Sequence, residues 1–184
     1  MSTVMTIVLI VAIVAIAAAI WMFLEKRRTQ QLRTRFGPEY DRMIQQGDRR
    51  QAESLLEKRA KRVEKFHIRH LTTEERPRFA GAWKREQALF VDDPHVAVAN
   101  ADRLVGEVMQ ARGYPMAEFE QRAADISVDH PQVVENYRAA HDIAARDSHG
   151  QATTEDLRQA MVYYRALFVE LLEEPVLETQ EVRR

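Results

Sequence analysis

The chain divides into one unbroken apolar run and a long charged remainder. Between Val4 and Leu24 it is apolar at 20 of 21 positions, and Thr6 is the only polar residue there. As an α-helix this run is about 31 Å long, enough to cross a hydrocarbon core of about 30 Å. Trp21 and Phe23 lie where an interfacial aromatic belt would be. The pattern predicts a short tail at residues 1–3 and a transmembrane helix over residues 4–24.

Two other interpretations of the apolar run fit less well. A buried core helix would need packing partners around its whole circumference. A cleaved signal peptide has a basic segment before the apolar core and a small-residue cleavage site after it. Residues 1–6 contain no basic residue, and five apolar residues continue the run beyond Ala17, Ala18 and Ala19. The run therefore favours a retained membrane anchor.

Basic residues follow the apolar run directly and predict its orientation. Positive charges flank the cytoplasmic side of membrane helices, so the pattern predicts that the C-terminal domain lies in the cytoplasm. The absence of cysteine fits a reducing compartment. A periplasmic location of the domain remains the alternative, because short N-terminal anchors of some envelope proteins break the rule.

The charged remainder is predicted to be entirely helical, because glycine and proline occur only at intervals and apolar residues do not alternate as in a strand. We expect basic juxtamembrane or stalk helices over residues 25–71, broken at Gly37-Pro38 and at Gly47, with a long charged helix over 48–71. Thr72 and Glu75 have the spacing of a capping box and open the next segment. The predicted fold class is all-α: a transmembrane helix, charged juxtamembrane helices and a bundle.

The predicted bundle covers residues 72–175 and has four to five amphipathic helices, followed by a tail over 176–184. Breaks are expected at Asp93-Pro94, 113–115, 129–131 and Gly150, with Asp93 as an N-cap and Pro94 in the first turn. Residues at i, i+3, i+4 and i+7 are apolar between these breaks, which predicts faces that close one core. The predicted core includes Leu157, Ala160, Met161, Tyr164, Leu167, Phe168, Leu171, Leu172, Ala97, Ala101, Leu104, Val105, Val108, Met109, Met116, Phe119, Ala123, Ile126, Val133, Val134, Tyr137, Ala140, Ala144, Phe79, Ala82, Trp83 and Phe90.

Charge is distributed unevenly although the whole chain carries a formal net charge of −1. Residues 25–90 hold 18 Lys+Arg and 10 Asp+Glu, a net charge of +8, and residues 91–184 hold 9 and 18, a net charge of −9. Basic residues near an anionic leaflet gain about 1 kcal/mol each. The alternative explanation of the asymmetry is that the charges solvate helix faces and that the two halves attract each other. The residues expected to contact anionic lipid headgroups are Lys26, Arg27, Arg28, Arg33, Arg35, Lys58, Arg59, Lys61 and Arg62.

Candidate catalytic chemistry is confined to one region. Asp125, Asp129, His130 and His141 are the acid–base residues that an enzyme or ligand-binding domain would use, and Ser127 completes a formal triad. No glycine-rich elbow accompanies them, and capping of the next helix by Asp129 is the simpler explanation. We therefore expect no catalytic residues, with Asp129, His130 and His141 as the alternative.

Metal, cofactor and nucleic-acid sites are not expected. Glu64, His67 and His70 would share one face of a charged helix, but the sequence has no second Glu-x-x-His for a di-iron site. Phosphate-binding glycine motifs are missing. One basic helix without interleaved aromatic residues is weak support for nucleic-acid binding, so lipid headgroups or solvation are favoured. A protein partner of unknown identity is expected at residues 112–131.

Short motifs link the chain to a family. They are Phe36-Gly37-Pro38-Glu39-Tyr40, Phe90-Val91-Asp92-Asp93-Pro94, Arg112-Gly113-Tyr114-Pro115 and Val128-Asp129-His130-Pro131, among others over residues 32–172. Together they resemble an uncharacterised family of bacterial single-pass membrane proteins with an N-terminal anchor. The resemblance implies a bacterial source and the anchored architecture, and it implies no activity. The sequence thus favours a membrane-anchored interaction or scaffold protein, with a tethered enzyme or ligand-binding domain as the alternative.

Overall fold

In a computed structural model, the backbone is described for residues 3–172 and the side chains for residues 7–172. These residues form eight α-helices and no strand, which confirms the predicted all-α class. The helices are α1 (Thr3–Phe36), α2 (Pro38–Gln45), α3 (Arg49–Val63), α4 (Glu75–Asp92), α5 (Pro94–Ala111), α6 (Phe119–Asp129), α7 (Val134–Asp147) and α8 (Thr154–Leu172). The chain divides into two compact units, with the boundary between Glu57 and Lys58.

Helix α1 joins the apolar run to the first basic segment without a break. Its large apolar side chains from Ile7 to Leu24 are all 54–62% exposed. Among the described residues it is the one helix long and apolar enough to cross a membrane. Water is an unfavourable environment for so large a continuous apolar surface.

The first unit forms a small core from the polar half of α1, from α2 and from the start of α3. Helix α1 ends just before Gly37, whose φ of +45° is a conformation that favours glycine. Pro38 occupies the first position of α2. This turn was predicted from the Gly-Pro pair. The buried apolar side chains of the unit are Leu32, Phe36, Tyr40, Ala52 and Leu56.

The second unit contains the helical bundle. Helix α8 packs against α5 and α7, and α4 packs against α5. Trp83 of α4 stacks on Phe168 of α8 with ring centroids 4.8 Å apart. The apolar face predicted for α5 is buried throughout, and so is that of α8 up to Leu171. One contiguous core therefore links these helices.

Two predicted helix starts are confirmed by their capping hydrogen bonds, and a third helix start is capped in the same way. The Asp93 side chain accepts from the Val96 N–H at 3.1 Å. Thr72 Oγ1 accepts from the Glu75 N–H at 3.1 Å, while Glu75 Oε2 accepts from the Thr72 N–H at 2.9 Å. Thr153 opens α8 and accepts from the backbone N–H three residues later at 3.2 Å.

The charged helix predicted over residues 48–71 is shorter in the structure and ends at Val63. The residues after Phe66 leave the helical path and lie against the end of α5, where the Arg69 N–H donates to the Arg112 carbonyl at 2.8 Å. Leu71 is buried in the bundle core. Because this segment hydrogen-bonds to α5 and contributes a core side chain, it belongs to the bundle and is not a stalk.

The start of α6 also differs from the prediction. A helix was expected directly after Pro115, but α6 begins at Phe119. Met116 therefore lies in the connection and is 51% exposed, so its prediction as a core residue was wrong. The predicted C-terminal tail over 176–184 and the last bundle residues, 173–175, lie outside the described residues, as do residues 1 and 2 of the predicted N-terminal tail.

Candidate functional site

A buried carboxylate organises the first unit beside the apolar half of α1. Glu53 Oε1 accepts hydrogen bonds from Tyr40 Oη at 2.9 Å, Thr29 Oγ1 at 2.9 Å and Arg49 Nε at 3.0 Å. Burial alone raises the pKa of Glu53, but these donors outweigh it and hold the pKa below its usual value. The ionised carboxylate thus ties α1, α2 and α3 together.

The predicted headgroup cations of α1 differ in what they contact. Arg28 makes a bidentate ion pair with Glu57, with Nη2 2.7 Å from Oε2. The guanidinium of Arg27 lies 4.5 Å from the centroid of the Phe23 ring. Arg33 is exposed and only 3.7 Å from the exposed Asp41 carboxylate. Lys26 and Arg35 are exposed. Arg28 therefore has a structural partner, while most of the other charges face solvent.

The predicted cations of the second unit lie on the last turns of α3. Lys58 and Lys61 are exposed, and Arg59 is half-buried. Arg62 differs from them because its Nε lies 3.2 Å from Oδ1 of Asp125, a carboxylate on α6. The sequence offered no sign of this pair, because the two residues are far apart along the chain.

Asp125 is a buried carboxylate, with 1% of the residue exposed. Its Oδ1 also accepts from Gln121 Nε2 at 2.8 Å, and its Oδ2 is buried without a hydrogen-bond donor among the described residues. Burial raises the pKa of Asp125 in spite of the Gln121 and Arg62 contacts. Burial therefore destabilises the ionised form of Asp125, and the contact with Arg62 partly offsets this destabilisation.

Asp129 and His130 lie at the C-terminal end of α6 and bind different partners. Asp129 Oδ2 accepts from Tyr114 Oη at 2.7 Å. It does not cap the following helix as predicted, because the residue before α7 is Val133 and it makes no side-chain cap. Asp129 itself is exposed, and its contact with the buried Tyr114 links the end of α6 to the preceding connection.

His130 is held between a cation and a carboxylate. Its Nε2 is 3.5 Å from Arg112 Nη1, and its Nδ1 is 3.2 Å from Glu170 Oε1. Because Arg112 can only donate, Nε2 accepts and Nδ1 carries the proton in the neutral ring. Burial lowers the pKa of His130 and Arg112 adds to this, while the contact with Glu170 opposes the shift without reversing it. The geometry therefore favours a neutral imidazole with both nitrogens engaged.

His141 belongs to a separate cluster on α7. Its ring stacks on Phe119 with centroids 3.6 Å apart, and its Nδ1 lies 3.9 Å from Asp102 Oδ1. Asp102 also accepts from Tyr164 Oη at 2.9 Å. Burial raises the pKa of Asp102, but His141 and Tyr164 outweigh it and lower the pKa. None of these partners is shared with His130.

Sequence reasoning missed Asp102 and Tyr164 as a polar pair inside the bundle. The spacing of Asp102 could have indicated a partly buried position, because Asp102 lies four residues after Val98 and three before Val105, within an otherwise apolar helix face. Burial and the nearby Asp102 raise the pKa of Tyr164. A phenol that stays protonated is a lasting donor to a carboxylate, which suits a structural link between α5 and α8.

The formal triad of Ser127, Asp129 and His130 is not assembled. Ser127 Oγ is buried and donates to the Ala124 carbonyl at 2.7 Å, as hydroxyls within helices commonly do. The described residues contain no group of three or more metal-ligating side chains. Since α3 ends before His67, that residue and Glu64 do not share a helix face as predicted.

The region predicted to bind a protein partner, residues 112–131, is mostly internal. Arg112 is buried and donates to the Leu171 carbonyl at 3.2 Å. Tyr114 and most of α6 are also buried. The exposed side chains of the region include Met116, Glu118 and Glu120. A partner at this region would contact these side chains and the exposed Asp129.

No protein-family model, curated protein or solved structure matches the chain. The resemblance to anchored bacterial membrane proteins therefore stays a prediction.

Proposed function

We propose that the protein is a single-pass membrane protein that holds an α-helical interaction or scaffold domain at the cytoplasmic face of a bacterial inner membrane. The observation that supports this most is the exposure of every large apolar side chain from Ile7 to Leu24 on one helix. A bilayer is the environment that covers such a helix around its whole circumference.

Charge supports the proposed orientation. Helix α1 passes from its apolar half directly into a basic half, and Lys26 and Arg27 occupy the boundary. Positive residues retained on the cytoplasmic side favour a cytoplasmic domain. Exposed lysines on α1 and α3 supply charge for anionic headgroups, at about 1 kcal/mol each near the leaflet.

The polar residues of the bundle support a scaffold rather than an enzyme. Asp125, Asp129 and His130 each satisfy an internal partner, and His141 stacks within a second cluster. A catalytic group must reach a substrate through an accessible site. Nothing in the described geometry joins these four residues around one cleft, so the alternative of a tethered enzyme has less support.

Lysine footprinting tests the headgroup contacts in the full chain. The protein would be placed in nanodiscs of anionic or of neutral lipids and treated with an amine-reactive reagent. We expect Lys26, Lys58 and Lys61 to be modified more slowly in the anionic discs, with the difference lost in high salt. Lys84, an exposed residue of α4, is the matched control. Equal modification of all four lysines in both lipids would contradict the headgroup contacts.

A further inference from the structure

A groove in the first unit lies between the end of the apolar half of α1 and the start of α3. Its volume is about 450 Å³, within the range of about 300–1,000 Å³ that small-molecule sites occupy. It is lined by Trp21, Leu24, Glu25 and Arg28 of α1 and by Arg50, Glu53 and Ser54 of α3.

Two of the charged lining residues are already neutralised. Arg28 is held by both oxygens of Glu57, and Glu53 accepts its three donors. Each of these two side chains therefore already has its counter-charge within the first unit, Glu57 for Arg28 and Arg49 for Glu53.

Three other lining groups are available. Within residues 7–172, the side chains of Glu25, Arg50 and Ser54 make no hydrogen bond or ion pair with each other or with other residues. The groove thus presents one guanidinium, one hydroxyl and one carboxylate that form no ion pair or hydrogen bond with one another. Such a set complements a ligand with a separate negative and positive group.

The groove also lies where a headgroup would be. Trp21 and Leu24 are among the last apolar residues of α1, and Trp favours the membrane–water interface. We infer that this groove binds the headgroup of a zwitterionic phospholipid, with the phosphate on Arg50 and Ser54 and a primary ammonium on Glu25. The inference rests on the proposed membrane anchoring of α1.

The lining chemistry separates this lipid class from two others. An anionic glycerol headgroup has the phosphate but brings no ammonium to Glu25, which then keeps only its electrostatic interaction with Arg28. A quaternary ammonium carries the charge but has no N–H to donate to the Glu25 carboxylate. A phosphate linked to a primary ammonium satisfies Arg50, Ser54 and Glu25 together.

Native mass spectrometry of the full chain in detergent tests the site. Phosphatidylethanolamine, phosphatidylglycerol and phosphatidylcholine would be added at equal concentrations, and lipid-bound protein counted. We expect the ethanolamine lipid to be bound about tenfold more than either other lipid, the effect of about one charge-assisted hydrogen bond. Arg50→Gln should weaken binding of all three, and Glu25→Gln should remove the preference between the ethanolamine and glycerol lipids.

Lys84→Gln, a change on exposed α4, serves as the control and should leave the lipid profile unchanged. Equal binding of the three lipids by the unmodified chain would overturn the inference, as would an Arg50→Gln profile identical to that of the control. Carbonate extraction in parallel separates this result from the anchoring proposal. Protein that stays in the membrane without a lipid preference refutes the headgroup site alone, whereas release refutes the anchor.

Discussion

Replacing Arg62 should destabilise the helical bundle, whereas replacing its partner Asp125 should not. The Asp125 carboxylate is buried, and Arg62 Nε lies 3.2 Å from its Oδ1. Arg62→Gln leaves a buried negative charge that keeps the Gln121 hydrogen bond and the weaker electrostatic effect of Arg59. Asp125→Asn removes that charge and keeps an oxygen for Gln121. The two substitutions delete one ion pair but have opposite electrostatic consequences.

The exposure of Arg62 sets the size of the effect. Removing one partner of a fully buried ion pair costs about 3–5 kcal/mol, and an exposed pair contributes about 0–1 kcal/mol. The Arg62 side chain is 45% exposed, so solvent already screens the pair. We expect Arg62→Gln to lower the free energy of unfolding by about 1–2 kcal/mol, and Asp125→Asn to change it by less than about 1 kcal/mol.

The pH dependence follows from the raised pKa of Asp125. The folded state binds the Asp125 proton at a higher pH than the unfolded state, whose pKa is about 3.9. The cost of the buried charge is absent below that pH and grows as the pH rises through the folded-state pKa. The difference between Arg62→Gln and the unmodified chain should therefore be present at pH 7 and disappear in acid.

Trp83 provides the assay because it is buried and stacks on Phe168. In a Trp21→Phe background it is the remaining tryptophan, and its fluorescence reports urea unfolding of the bundle in detergent. Lys61→Gln is the matched control, since Lys61 is exposed on the same turn. The reasoning is refuted if Arg62→Gln unfolds at the same urea concentration as the control, or if Asp125→Asn destabilises as much as Arg62→Gln.

Three further outcomes are expected. Gly113 has φ +96°, and a Cβ there would lie 2.3 Å from the His67 carbonyl oxygen. Gly113→Ala should therefore lower the free energy of unfolding by at least about 2 kcal/mol in the same urea assay. A smaller decrease would contradict the close packing of Gly113 against His67. Glu53→Gln should reduce hydrogen-exchange protection of residues 37–57 by about 1–2 kcal/mol at pH 7. Because the folded pKa of Glu53 is lowered, the unmodified chain should lose this protection as the pH falls below about 4.3, and unchanged protection in acid would argue against an ionised Glu53. A C-terminal tag should resist protease in intact spheroplasts, and its digestion would place the domain in the periplasm.

Local signals in the sequence predicted most of the helices. The Gly37-Pro38 pair, the Thr72 to Glu75 capping box and the Asp93-Pro94 start each act within four residues, so neighbouring residues suffice to recognise them. Periodic apolar faces predicted the core of α5 and α8 for the same reason.

The end of α3 and the long-range polar pairs depend on tertiary contacts, so they could not be predicted from the sequence. The chain after Val63 has helix-forming residues, yet the Arg69 N–H pairs with α5 and Leu71 enters the core. The Arg62–Asp125 pair and the Tyr164–Asp102 bond join residues 63 and 62 positions apart, and no local pattern encodes them. The candidate site was therefore harder to predict than the fold.

Carbonate extraction of the full chain tests the central claim most directly. Membranes containing the protein would be washed at alkaline pH and separated by centrifugation, beside a variant with Ile13→Arg and Val14→Arg in the middle of the apolar half of α1. Each arginine opposes insertion by about 2.5–3.5 kcal/mol. We expect the unmodified protein to stay in the pellet and the variant to shift to the supernatant. Release of the unmodified protein would contradict the account.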